Sequence, residues 1–127
     1  MNLEKVIFAF TLVLAASINF AFFLGEIDNP AHHHVYGLFG SIFLNAVATI
    51  LKFGDRSHIG AVLLASSAVS VSLVTLAASV WGYSVYVDGA GLSVGSTATI
   101  VSLAGGAMLA NVFSLILVIG EVLLQRR

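Results

Sequence analysis

Apolar residues fall into four long stretches, 5–24, 35–53, 59–87 and 97–124, and the polar residues inside them recur at helical spacing. In the second stretch Ser41, Asn45, Thr49 and Lys52 stand at i, i+4, i+8 and i+11, one face of a helix. In the third, Ser72, Thr75 and Ser79 share a face, with Gly82 and Tyr86 below them. In the fourth, Asn111, Ser114 and Glu121 do the same, and the first carries one strongly polar residue, Asn19. A run of about 20 apolar residues matches the thickness of a bilayer core. A polar stripe in hydrocarbon is costly unless it faces protein or water, so the stripes are expected to look inward. The third stretch is longer than a perpendicular span needs and must tilt, protrude or end early.

The pattern also repeats. NAVATILKFGD, from Asn45 to Asp55, recurs without a gap as NVFSLILVIGE, from Asn111 to Glu121, a shift of 66 residues. The asparagine, the glycine and the acid are uncommon in this chain, and all three fall in register. Upstream, Leu14-Ala15-Ala16-Ser17-Ile18 matches Leu76-Ala77-Ala78-Ser79-Val80 at a shift of 62. The expected fold is therefore all-α and integral to the membrane, a single domain over 1–127. Its four transmembrane helices form two tandem parallel helix-hairpin repeats, about 5–55 and 59–124. Such copies insert with the same orientation, related by a pseudo-twofold along the membrane normal. The ten-residue step from each asparagine to its acid covers ~15 Å of helix, which sets the amides near mid-bilayer and the acids at one surface. Gly106 with Ala110, and Gly37 with Ser41, are small-residue pairs that let backbones approach closely.

Composition agrees. Hydrophobic residues make up 59% of the chain and charged residues 9%, with a mean hydropathy of +1.06. So few charges cannot solvate a soluble globule. There is no basic stripe, which excludes nucleic acid as a partner. Absence of cysteine removes disulfides and thiol chemistry. The first apolar run is longer than a signal-peptide core and reads as an uncleaved span. The five basic residues, Lys5, Lys52, Arg56, Arg126 and Arg127, all fall at the termini or between the second and third stretches. By the positive-inside rule that side is cytoplasmic, so both the N- and C-termini face the cytoplasm. Trp81, Tyr83 and Tyr86 suit an interfacial aromatic belt on the other side.

Candidate chemistry is sparse. Asn45 and Asn111, with Ser41, Thr49 and Ser114, could line a pore or ion pathway, or could equally be interhelical glue. Asp55 and Glu121 could form an acidic ring at the inner mouth. Alternatively Asp55 pairs with Lys52 or Arg56, and Glu121 with Arg126 or Arg127. Lys52 has Val118 as its counterpart in the second repeat and is expected to snorkel to the surface. The loop after the first stretch holds Glu26, Asp28, His32, His33 and His34, which include metal-ligand types. Only His32 and His34 share a side of an extended segment, so Glu26, Asp28, His32 and His34 are a weak metal candidate and no cofactor is expected. No nucleophile–base pair, HExxH or phosphate loop lies in the spans, so an enzyme is not expected.

In outline the duplicated hairpin resembles tandem two-span channels whose repeats assemble a pseudo-fourfold pore, without any TVGYG-type filter. Over its whole length the chain resembles the small uncharacterised four-span inner-membrane proteins of bacteria, a resemblance that implies location in the bacterial inner membrane and no activity. Two functions are expected from these features. One is a homo-oligomer forming a pathway for an ion, a cation first, or a small solute. The other is a non-catalytic accessory subunit that clasps a membrane-protein partner. The lipid bilayer is a partner in either case.

Overall fold

The computed structural model describes residues 3–26, 29, 31, 33–55, 57–89 and 91–125, with nothing said of the Gln125 side chain. Helix α1 runs Leu3–Phe23, α2 Val35–Lys52, α3 His58–Gly82 and α4 Val94–Gln125. The described residues are helical or in turns, without strands. All four helices are long and apolar enough to cross a membrane, and the chain is a multi-pass membrane protein.

Local chemistry sets the helix ends. Gly25, at φ 98°, takes the chain out of α1. The Ser57 hydroxyl accepts from Gly60 N at 3.0 Å and caps α3. At its far end α3 widens into a π-helical turn, Tyr83–Val87, where Asp88 N–H reaches back to the Tyr83 carbonyl at 2.7 Å. Helix α4 starts three residues before the sequence-based boundary of 97. Ser93 is the reason: its hydroxyl accepts from Ser96 N at 3.0 Å and its carbonyl from Thr97 N at 2.9 Å.

The helices form a ring in chain order, each packed chiefly against its two neighbours and closed by α1 on α4. Neighbours are antiparallel. Lys5 at the start of α1 meets Glu121 at the end of α4. Phe22, near the end of α1, meets Gly37 near the start of α2. Both termini and the α2–α3 loop thus share one end, the terminal end; the other two loops share the hairpin end. Small residues permit the close contacts. A Cβ added to Gly37 would lie 3.3 Å from Phe22, and one added to Gly106 would lie 3.2 Å from Leu73.

The exterior is greasy and the interior partly polar, the reverse of a soluble bundle. Phe10, Phe39, Phe43, Ile50, Leu109 and Ile116 are all exposed, as helices facing acyl chains require. The buried positions of α2 are Leu38, Ser41, Asn45 and Ala48. Sixty-six residues on, Ala104, Ala107, Asn111 and Ser114 of α4 are buried too.

Candidate functional site: a polar layer between two apolar clusters

Every helix sends polar side chains into the interior, from mid-height to about a turn nearer the hairpin end, where Asn19 stands four residues from the end of α1. Asn19 comes from α1, Ser41 and Asn45 from α2, Ser66, Ser67 and Ser70 from α3, and Asn111 and Ser114 from α4, all buried. Helical spacing stacks the α2 pair four residues apart and the α4 pair three apart, so each pair shares a face. Neighbouring contacts fix the depths. Ile18 lies on Gly40 and Lys52 on Phe8, which sets Asn45 within a turn of Ala15. Phe23 lies on Gly105 and Lys5 on Glu121, and this brings Asn111 to the same level. The two asparagines thus face the inside of one bundle rather than an axis between two copies, the arrangement a pseudo-fourfold pore would need.

Some of this layer is internally satisfied. Asn45 Nδ2 donates to the Ser41 carbonyl at 2.8 Å and to Ser41 Oγ at 3.2 Å. The Thr49 hydroxyl, half-buried, donates to the Asn45 carbonyl at 2.8 Å. Ser70 Oγ crosses from α3 to donate to the Ala107 carbonyl at 3.0 Å, and the Ser66 and Ser114 hydroxyls bond to each other. Others have no protein partner among the described residues: both amide ends of Asn19 and of Asn111, the Oδ1 of Asn45 and the Oγ of Ser67. An unpaired buried polar group costs about 1–3 kcal/mol, so this set calls for something that hydrogen-bonds to it.

The layer is closed on both sides. Towards the hairpin end lies an apolar cluster built on Phe22, Leu38, Val74, Ala77, Ile100 and Ala104. Towards the terminal end lies another, of Phe8, Leu12, Ala48 and Leu63, with Leu51 and Leu115 against it.

Beyond that second cluster sit the charges. Lys5 Nζ is 3.7 Å from Glu121, and Lys52 Nζ is 3.4 Å from Asp55 and 4.3 Å from the centre of the Phe8 ring. Asp55 takes the Lys52 partner expected for it. Glu121 is tied across the bundle to Lys5, whereas Arg56, Arg126 and Arg127 lie outside the described residues. Asp55 also accepts from Ser57 N at 2.9 Å and Ser57 Oγ at 2.7 Å. The Ser57 hydroxyl and N–H, with Lys52 adding less, hold its carboxyl below the usual value of 3.8. Each carboxylate therefore carries an ammonium group, which blunts any acidic ring at this mouth.

At the hairpin end, the loop histidines separate. His33 is buried, with Nδ1 2.5 Å from the Phe22 carbonyl and Nε2 2.8 Å from the Glu26 carbonyl. Whichever ring nitrogen carries the N–H donates to one of these carbonyls, and that of Phe22 is among those left open where α1 ends. His34 is exposed and stacks on Tyr36. Among the described residues no three metal-ligating side chains converge; Asp28 and His32 of the weak metal candidate lie outside them.

Sequence reasoning placed Asn45, Asn111, Ser41 and Ser114 inside. It missed the face of α3. Ser72, Thr75 and Ser79 are exposed, while Ser66, Ser67 and Ser70 point inward. Ser72 and Ser79 donate to their own i−4 carbonyls, at 2.8 and 2.9 Å, and so tolerate lipid. Asn19, the one strongly polar residue of its stretch, and His33, one of the loop's metal-ligand types, were not expected at the buried positions they take. The one signal for Asn19 was its isolation as the sole strongly polar residue of its stretch.

The chain belongs to a family of unknown function, DUF6394, which matches residues 32–122. No curated protein matches it, and no solved structure does.

Proposed function

We propose that this member of a family of unknown function provides a route across the membrane for a small solute, with the mid-bundle polar layer as its binding station. One observation carries the reading: buried amides and a hydroxyl without protein partners among the described residues lie between two apolar clusters. Polar groups that only glued helices would be paired with each other, as Ser66 is with Ser114. Passage requires each cluster to part, so the conformation described is an occluded one. The layer is assembled within one chain and does not need a second copy, although a homo-oligomer of such routes is compatible with it.

The duplicated hairpin belongs to this proposal. Its support is the shared burial of Leu38, Ser41, Asn45 and Ala48 with Ala104, Ala107, Asn111 and Ser114. Lys5 and Lys52 at the terminal end support a cytoplasmic position for that end by the positive-inside rule, and a bacterial inner-membrane location is proposed on the sequence resemblance alone. The accessory-subunit reading has one feature in its favour, an outward groove between α3 and α4 lined by Ala65, Val69, Gly106, Leu109, Ala110 and Phe113. Such a groove fits a partner helix.

Purified protein in liposomes tests the first reading. Some small solute or ion should cross faster than in empty liposomes, and Asn45→Leu or Asn111→Leu should slow it. Undiminished flux in both variants would remove the polar layer from the route. A single stoichiometric membrane partner, recovered without any flux, would favour the accessory role.

A further inference from the structure

Which solutes could satisfy this layer is decided by the sign of its unmet groups. Asn19 and Asn111 each present a free carbonyl oxygen and a free N–H₂, Asn45 a free oxygen, and Ser67 a hydroxyl that can do either. A cation answers the oxygens and is repelled by the amide hydrogens. An anion does the opposite. Only a group that both donates and accepts answers the whole set.

Charge supports the same conclusion. None of the buried residues among those described is Asp, Glu, Lys or Arg. The ammonium and carboxylate groups stand outside the cluster of Phe8, Leu12, Ala48 and Leu63. An ion reaching mid-height would shed its water in passing apolar side chains and find no countercharge, which is the costliest transfer a membrane interior offers. An uncharged solute loses only hydrogen bonds, and the amides restore them.

We infer that the layer of Asn19, Asn45, Ser67 and Asn111 accepts a small uncharged solute bearing both hydrogen-bond donors and acceptors, of the amide or polyol class, and rejects ions of either sign. This rests on the transport reading above and sharpens it.

The test is a flux panel on the wild-type protein in liposomes, with urea and glycerol as neutral probes and Na⁺, K⁺, Cl⁻ and H⁺ as charged ones. Urea or glycerol should exceed the empty-liposome rate at least tenfold, and the ions should stay at background. Asn111→Leu and Asn19→Ala should each return the neutral flux towards background, with helicity by circular dichroism unchanged. Flux of any of the four ions above background, with or without neutral flux, overturns the inference and leaves a transport route standing. Background rates for every probe overturn both. Neutral flux that is unaffected in folded Asn111→Leu and Asn19→Ala shows passage elsewhere and overturns the assignment to this layer.

Discussion

Replacing Gly60 with alanine decides whether Asp55 is a loop fastener or a group of the permeation mouth. A Cβ at position 60 would lie 2.2 Å from the Asp55 carboxyl carbon and 2.4 and 2.5 Å from its oxygens. The carboxylate would have to leave. It would forfeit the Ser57 N–H at 2.9 Å, the Ser57 hydroxyl at 2.7 Å and Lys52 at 3.4 Å. Hydrogen bonds to a charged group contribute about 1.5–3 kcal/mol when sheltered. In a loop near water each falls to about 0.5–1 kcal/mol. For the three contacts together the loss is then about 1.5–3 kcal/mol. Against it, alanine for glycine in a helix gains up to about 1 kcal/mol. Gly60→Ala should therefore destabilise by about 0.5–2 kcal/mol. In an Asp55→Ala background the obstruction is gone, and the same change should stabilise by about 0.5–1 kcal/mol. This reversal of sign is the diagnostic, read from unfolding in mixed micelles by loss of far-ultraviolet circular dichroism. A Gly60→Ala that stabilises in both backgrounds would refute the placement of Asp55 over Gly60. Flux per folded protein should meanwhile be unchanged in Asp55→Asn.

The remaining predictions concern the same loop and the bundle interior. Because Ser57 and Lys52 hold the Asp55 carboxyl below its usual value, its stabilising contribution is complete above the ordinary carboxylate range and is lost as pH falls through the depressed value; an acid titration of stability should show Asp55→Asn converging on wild type at low pH and below it at neutral pH. Ser70→Ala removes the bond to the Ala107 carbonyl and should cost about 0.6–1.7 kcal/mol in steric-trap or micellar unfolding, the range for interhelical bonds in membranes. Gly106→Leu would drive a side chain into Leu73 and should cost about 1–3 kcal/mol by the same measurement. Asn111→Leu removes two unpaired polar ends and should leave stability at or above wild type, whereas a loss above about 1 kcal/mol would mean that the amide has a structural partner.

The chain pattern by itself determined the four helices, because runs this long and this apolar have no other stable use. It also determined which way Asn45 and Asn111 face. A carboxamide has donors and acceptors that its own helix cannot fully satisfy, so exposing it to lipid is expensive and its phase on the helix is legible. Serine carries no such signal. Its hydroxyl can bond to the carbonyl four residues back, as at Ser72 and Ser79, and it is then nearly indifferent to lipid or core. Only packing against α4 decided that Ser66, Ser67 and Ser70 turn inward. Likewise only the ring of helices brought Lys5 to Glu121 and seated His33 over the end of α1, since both contacts join residues whose separation along the chain encodes nothing about their distance. Depth and enclosure of the polar layer belong to the tertiary structure for the same reason. Periodicity fixes the direction of a side chain around one helix axis, and the register between helices sets what lies opposite.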